Sequence, residues 1–251
     1  MKVIKRDLPS FDELQILPLA DLHMGDLSSN GKQIQEWIDY IHSHENCYTI
    51  LNGDLMDTAI KTSIGDTYAS NLTPMQQLNY SVKLFNVIKH KVLAVTPGNH
   101  EARVYKTDGL DTTQLMCDQL GIGDLYSPAS ALVFVRFGVA KKQTYSLYCV
   151  HGSGGGRQEG GKVNRLLQLA SIIDADCYIH SHTHLPAIVK NSFFRTNPTT
   201  CTITKADKLF VNTSAALDYG GYGEVQSYKP TSLDTPLIIL DGHRRNLKAV
   251  L

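Results

Sequence analysis

The sequence predicts an α/β fold built from two mixed β-sheets, one contributed mainly by each half of the chain. In the first half, short apolar segments alternate with amphipathic helices, which is the pattern of a mostly parallel sheet. The second half has more of the short apolar segments. Polar clusters directly follow five of these segments, as expected where strands end at a functional edge.

The first half is predicted to contain three strands and two helices. We expect the strands at residues 14–20, 48–51 and 91–96. Apolar residues at helical spacing predict a helix around residues 34–41, and a second helix is expected over residues 75–90.

The second half is predicted to contain two helices and six strands. The helices are expected at residues 111–120 and 163–173. The strands are expected at residues 131–137, 144–150, 177–180, 187–189, 208–211 and 237–240, the first two joined into a hairpin by residues 138–143. No low-complexity linker or fixed repeat interrupts the chain, so we expect one domain over residues 1–251.

Composition narrows the function classes. Lys and Arg number 24, as do Asp and Glu, so the formal net charge is zero and tight duplex binding is not expected. The N-terminal segment lacks the apolar core of a signal peptide, and no apolar run predicts a membrane span. Five cysteines without a C-x-x-C pair predict reduced thiols and a cytoplasmic location. The sequence leaves the oligomeric state open.

Five short polar clusters follow apolar segments immediately. They are Asp21-Leu22-His23, Gly53-Asp54-Leu55-Met56-Asp57, Gly98-Asn99-His100-Glu101, His151-Gly152 and His182-Thr183-His184. Because parallel strands place their carboxyl ends at one edge of a sheet, we expect these clusters to converge on one site. Each residue alone could be an ordinary turn or core residue, but five clusters in one order favour a shared site.

The side chains in these clusters are oxygen and nitrogen donors without a thiolate, a set that suits Mn²⁺, Fe²⁺ or Zn²⁺. Seven candidate ligands are too many for one tetrahedral ion and fit two ions that share a carboxylate. They are Asp21, His23, Asp54, Asn99, His151, His182 and His184.

The order D-x-H, G-D-x-x-D, G-N-H-E, H and H-x-H resembles the calcineurin-like metallophosphoesterase superfamily over about residues 21–184. The resemblance implies a four-layer α/β/β/α sandwich of two mixed sheets flanked by helices. It also implies hydrolysis of a phosphate ester with two divalent metal ions, Mn in first place and Fe, Zn, Ni or Mg as alternatives.

The resemblance assigns roles to these positions. Asp21, His23 and His184 would hold the first ion, Asn99, His151 and His182 the second, and Asp54 would bridge them. His100 would protonate the leaving oxygen or stabilise charge in the transition state, with Asp57 orienting its ring. His180 alternates with His182 and His184, and we expect it to support the site or the core without being a ligand.

Two positions depart from the superfamily pattern. Ser181 replaces the glycine of the usual G-H-x-H motif, which changes no ligand. Thr58 follows Asp57 where the phosphoprotein phosphatases have a phosphate-binding arginine. We therefore expect a phosphodiesterase acting on nucleotides or nucleic acid, with a small-molecule phosphomonoesterase as the alternative. A metal-binding interaction scaffold is less favoured, because all seven ligand positions and His100 are present.

A glycine-rich segment at residues 152–162 comes close to a phosphate-binding P-loop pattern. Val163 stands where that pattern requires Ser or Thr, so a nucleotide-binding P-loop is not expected. Arg157 and Lys162 are instead candidates to bind substrate phosphate near a helix N-terminus. An exposed surface loop explains the same segment equally well.

Overall fold

A computed structural model describes residues 1–60, 63, 70–138, 140, 142–154, 156–225 and 227–251. The strands in this part are β1 Lys2–Asp7, β2 Glu13–Ile16, β3 Cys47–Asn52, β4 Val92–Thr96, β5 Ser130–Phe137, β6 Gln143–Val150, β7 Cys177–His180, β8 Ala187–Asn197, β9 Thr202–Asn212, β10 Leu237–Asp241 and β11 Leu247–Val250. The helices are α1 Gly31–Ser43, α2 Pro74–Phe85, α3 Asn99–Asp108, α4 Thr112–Leu120, α5 Glu159–Gln168 and α6 Gly221–Val225.

The strands form two mixed sheets, as predicted. One sheet has five strands in the order β11-β10-β2-β3-β4, and the other has six in the order β1-β5-β6-β7-β9-β8. Within the first sheet β2, β3 and β4 are parallel, and within the second β6, β7 and β9 are parallel. These two parallel sets carry the polar clusters at their carboxyl ends.

The prediction that each half of the chain supplies its own sheet is wrong for the N-terminal strand and for the two C-terminal strands. Strand β1 pairs in parallel with β5 in the six-stranded sheet. Strand β10 pairs antiparallel with β2 in the five-stranded sheet, with Ile238 opposite Ile16, and β11 extends that sheet. Strands β1 and β11 were not predicted, because each lies at a sheet edge and buries few residues, such as Ile4 and Leu247.

A continuous apolar core lies between the two sheets. Alternate residues of β5, including Val133 and Val135, join a cluster with Ile16 and Ile50 of the other sheet. Leu132 faces the opposite side and packs in a second cluster beneath α5. Helix α1 covers the outer face of the five-stranded sheet with four buried residues at helical spacing: Ile34, Trp37, Ile38 and Ile41. The layer order is therefore α/β/β/α.

Several boundaries differ from the predictions. Helix α2 ends at Phe85, and the predicted helix at residues 163–173 begins earlier, as α5, and ends with a 3₁₀ turn at Leu169–Ser171. Strands β8 and β9 are longer than the predicted strands at residues 187–189 and 208–211, and they pair as a hairpin. The added length was missed because the outer half of the hairpin is exposed on both faces and lacks apolar alternation. The predicted hairpin joins β5 to β6, although residues 139 and 141 of its turn lie outside the described residues.

None of the helices in the described ranges is long and apolar enough to cross a lipid bilayer.

Candidate metal centre

The five polar clusters occupy loops that follow strands of both sheets. Asp21 and His23 follow β2, Asp54 and Asp57 follow β3, and Asn99 and His100 begin α3 directly after β4. His151 follows β6, and His182 and His184 follow β7. Backbone hydrogen bonds join neighbouring loops, from Asp21 N to Gly53 O at 3.0 Å and from Ser181 N to His151 O at 3.0 Å. The two sheets thus bring the clusters to one edge of the sandwich.

The backbone of the candidate ligands is strained. Nine described residues other than glycine have positive φ, and five of them are candidate ligands, with φ between 45° and 67°. These five are Asp21, His23, Asp54, His182 and His184. The left-handed region costs residues with a side chain on the order of 1 kcal/mol each and persists only where the surroundings impose it. Such clustering is typical of a functional site.

The ligand atoms fall into groups of the size that holds a metal ion. Ligand atoms of Asp21, His23 and His184 all lie within 4.8 Å of one another, as do those of Asp54, His151 and His182. A third group combines His23 of the first group and Asp54 of the second group with His100. Asp54 therefore lies where the first two groups meet. His184 Nε2 lies 3.3 Å from Asp21 Oδ1, and His151 Nε2 lies 3.0 Å from Asp54 Oδ2.

Three buried atoms in these groups have no hydrogen-bond partner among the described residues. They are Asp21 Oδ1, His23 Nε2 and His151 Nε2. Two of them lie close to an ionisable group of opposite type without forming a hydrogen bond: Asp21 Oδ1 is 3.3 Å from His184 Nε2, and His151 Nε2 is 3.0 Å from Asp54 Oδ2. A buried polar atom without a partner costs about 1–3 kcal/mol, and a cation at the centre of each group would compensate this cost. The other ring nitrogen of His151, Nδ1, donates to Asn52 O at 2.8 Å and so fixes the orientation of the ring. A second hydrogen bond of this kind is usual for metal-binding histidine. The donor set therefore fits divalent cations.

Burial and neighbouring charges set the protonation states of the candidate ligands. Burial would raise the pKa of Asp54, but the neighbouring His151 outweighs it and holds that pKa well below the usual value. Burial, followed by the charge on His100, lowers the pKa of His23 to about 3, so this ligand is neutral at neutral pH. Burial also opposes a charge on His151, but Asp54 and Asp21 raise its pKa to about 10. A cation that binds His151 must therefore displace a proton.

His100 lies beside the two groups and is oriented by Asp57. Its Nδ1 donates to Asp57 Oδ1 at 2.8 Å, and its backbone N–H donates to Asp54 Oδ1 at 2.8 Å. Nε2 lies 4.0 Å from Asp54 Oδ2 and 2.7 Å from a guanidinium nitrogen of Arg103. Arg103 was not predicted as a site residue. The one feature of the sequence that could have indicated it is its position three residues after His100, about one helical turn away.

Glu101 is a second residue whose role was missed, although its cluster was recognised. Its buried carboxylate accepts hydrogen bonds from the backbone N–H groups of Asp54, Leu55, Met56 and Gly98, at 2.6–3.1 Å. These bonds join the loop after β3 to the start of α3. An acidic residue in the first turn of a helix, three residues after glycine, is a capping signal that could have identified it.

Close backbone approach explains three glycines of the site. A Cβ on Gly98 would lie 2.0 Å from Asp54 Oδ1, and one on Gly53 would lie 2.6 Å from Gly98 N. A Cβ on Gly152 would lie 2.1 Å from His180 Nε2. His180 is buried, its Nδ1 contacts Asn212 Oδ1 at 2.7 Å, and it belongs to none of the metal-binding groups found in the described residues.

Ser181, which departs from the superfamily pattern, takes part in a buried network. Asn52 Nδ2 donates to Ser181 Oγ at 2.7 Å and to Val150 O at 3.0 Å. The serine therefore ties the loop after β7 to the end of β3, a contact that glycine could not make.

Three candidate residues are not among the buried histidine and carboxylate ligands of these groups. Asn99 is exposed as the first residue of α3. Arg157 is exposed with its guanidinium 5.7 Å from the ring centre of Tyr228, and Lys162 lies in the first turn of α5. Within the described residues, no hydrogen bond or ion pair joins Arg157 or Lys162 to the candidate ligands; Gly155 of this segment lies outside them.

Comparison with known families agrees with this geometry. Residues 15–186 match the family model of calcineurin-like phosphoesterases. The chain belongs to the calcineurin-like phosphoesterase family. The matched segment contains all five polar clusters, including the last one at His182 and His184.

Solved structures that match the chain include the following three. A Streptococcus pneumoniae TIGR4 protein described as a predicted phosphoesterase is 13% identical, with a TM-score of 0.40, over 96% of this chain and 91% of that one. A metallophosphoesterase from Sphaerobacter thermophilus is 12% identical, with a TM-score of 0.44, over 95% and 89%. Vacuolar Protein Sorting 29 from Cryptosporidium parvum is 15% identical, with a TM-score of 0.45, over 95% and 97%. No curated protein sequence matches the chain.

Replacing Glu101 with Gln tests the role of its carboxylate. One oxygen becomes an amide group that faces two N–H donors, so we expect the free energy of unfolding to fall by about 2 kcal/mol or more. Urea denaturation measures the change, with the exposed Glu36→Gln as the matched control. Equal stability of the two variants would contradict the role given to Glu101.

Adding a methyl group at Gly98 tests the close approach to Asp54. The Gly98→Ala side chain would collide with Asp54 Oδ1, so we expect a lower melting temperature and weaker Mn²⁺ binding. Gly160→Ala is the control, because its Cβ meets nothing within 4 Å and alanine favours the helix by about 0.5–1 kcal/mol. If Gly98→Ala behaved like this control, the packing described for Gly98 would be wrong.

Proposed function

We propose that this member of the family is a phosphoester hydrolase that works with two divalent metal ions. Asp21, His23 and His184 would hold one ion, and Asn99, His151 and His182 the other, with Asp54 between them. The observation that carries the proposal is the set of three buried ligand atoms without hydrogen-bond partners in these groups. The donor set favours Mn, with Fe, Zn, Ni or Mg as alternatives. Bound ions would supply Lewis acidity at the phosphate oxygens and lower the pKa of water.

His100 is the proposed acid for the leaving oxygen. It lies at the rim of both groups, and Asp57 fixes its ring through Nδ1. Burial alone would lower the pKa of His100, but the hydrogen bond to Asp57 and the charge on Asp54 raise it. The raised pKa keeps a larger share of the imidazole protonated near neutral pH, which a general acid requires.

The substrate proposal has two candidates. A phosphodiesterase acting on nucleotides or nucleic acid was expected because Thr58 replaces an arginine. Thr58 is buried, and its hydroxyl donates to His100 O at 2.7 Å, so it offers the substrate no charge. A small-molecule phosphomonoesterase is the second candidate, and it is favoured by the cationic side chain of Arg103 beside His100.

The free thiols bear on where the reaction would take place. Cys47, Cys117, Cys149 and Cys177 are buried and unpaired, and Cys201 is free and exposed. We propose a cytoplasmic location, where thiols remain reduced.

Metal analysis separates the enzyme from an interaction scaffold. We expect the protein, stripped and reloaded, to bind about two Mn²⁺ per chain, and His151→Ala to lose at least one of them. The exposed His42→Ala is the control and should bind as the unaltered protein does. Binding of less than one ion per chain by the unaltered protein would refute the dinuclear site.

Hydrolysis of a chromogenic phosphodiester and the matching monoester by the Mn²⁺-loaded protein tests catalysis. His100→Gln should lower the rate by about 10²- to 10⁴-fold while retaining the metal, because it removes a general acid. Hydrolysis of neither ester by a metal-loaded protein would contradict the proposed function.

The pH profile tests the link between Asp57 and His100. Asp57→Asn removes the charge that raises the pKa of His100, so the protonated acid should be lost at lower pH. The alkaline limb of kcat/KM should move towards lower pH. An unmoved alkaline limb would show that a different group sets it.

A further inference from the structure

Arg103 carries a charge that the proposed chemistry has not used. It lies on α3 one turn after His100 and is half-buried. One guanidinium nitrogen is 2.7 Å from His100 Nε2, and the other is 3.4 Å from Ser63 Oγ. Both partners are polar side chains without a formal negative charge.

The direction of the contact with His100 follows from the other ring nitrogen. Nδ1 faces Asp57 Oδ1 and therefore carries a hydrogen, so in the neutral ring Nε2 is the acceptor from Arg103. When the ring is protonated as the proposed acid, Nε2 carries a hydrogen and no longer accepts this bond, which frees the guanidinium nitrogen for another acceptor. That same nitrogen lies 4.0 Å from Asp54 Oδ2, and the rings of His100 and His23 are 4.4 Å apart. The guanidinium therefore lies at the rim of the candidate metal groups.

Arg103 makes no close ion pair within the part of the chain that the structure describes. No carboxylate of the described residues lies within 4.0 Å of its guanidinium, whereas Arg136 pairs with Asp7 and Arg245 with Asp176. An arginine held half-buried against His100 and Ser63 keeps its charge and several of its donors available for an anion. The fork of N–H donors matches the geometry of a phosphate group.

We infer that Arg103 binds the phosphate of the substrate and makes the site favour phosphomonoesters over phosphodiesters. The inference rests on the proposed phosphoester chemistry. A monoester dianion carries one more negative charge and one more non-bridging oxygen than a diester, so a fixed cation stabilises it more strongly. Thr58, which follows β3, lacks the positive charge of the arginine that phosphoprotein phosphatases have at this position. Arg103 on α3 supplies that charge instead. The absence of arginine at position 58 therefore does not point to a diester.

Binding of inorganic phosphate tests this role without turnover. Calorimetry on the Mn²⁺-loaded protein should show the phosphate Kd rising about 10- to 100-fold in Arg103→Ala, because a hydrogen-bonded charge pair is lost. Arg103→Lys should recover part of the affinity. Lys106→Ala, an exposed cation on the same helix, is the control and should leave the Kd unchanged. Metal content and melting temperature establish that each variant is folded and loaded.

The ratio of kcat/KM for a chromogenic monoester and its matching diester tests the substrate class. The unaltered protein should prefer the monoester, and Arg103→Ala should lower the monoester value about tenfold more than the diester value. An unchanged phosphate Kd together with an equal fall for both esters would overturn the inference and leave Arg103 as a positioning residue for His100. If the unaltered protein cleaves neither ester, the proposed function fails, while the phosphate Kd still decides whether Arg103 binds phosphate.

Discussion

The buried carboxylate of Glu101 holds together the two loops on which the candidate site depends. It accepts four backbone N–H groups, three from residues 54–56 and one from Gly98. Asp54, which stands between the metal groups, and His100, which stands beside them, are thereby fixed relative to each other. Gly98 completes the arrangement, since any side chain there would occupy the position of the Asp54 carboxylate.

The site combines strained backbone with buried polar atoms that lack hydrogen bonds, and a bound cation would offset the free-energy cost of both. Five candidate ligands have left-handed backbone, and three buried ligand atoms make no hydrogen bond to the described residues. Loops held in such conformations are already organised to bind a metal, so little rearrangement should accompany binding. Because a cation binds the folded chain in preference to the unfolded one, binding should also stabilise the fold.

The sequence predicted those helices and strands in which buried residues form a regular apolar pattern. The four buried residues of α1 recur at helical spacing, and β3, buried throughout, reads as a continuous apolar run. Strands β1 and β11 escaped prediction because edge strands bury few side chains. Helix α3 escaped because it is polar, with only Glu101 and Val104 buried.

The candidate ligands could be selected from the sequence because they are short motifs that follow strands. The capping signal at Glu101 indicates a bond to its own helix start, but its bonds to residues 54–56 depend on a distance between two loops. The contribution of Arg103 depends on where its side chain lies relative to His100 Nε2, which no motif encodes. Arg103 also changes the interpretation of Thr58, because we infer that the charge missing after β3 is supplied by helix α3. Reasoning from a single position could not anticipate that replacement.

Anomalous diffraction at the manganese edge from Mn²⁺-soaked crystals tests the central claim most directly. The account predicts two peaks about 3.5–4 Å apart, with an Asp54 oxygen between them. One peak should contact Asp21, His23 and His184, and the other Asn99, His151 and His182. A single peak, or peaks away from Asp54, would contradict the dinuclear centre.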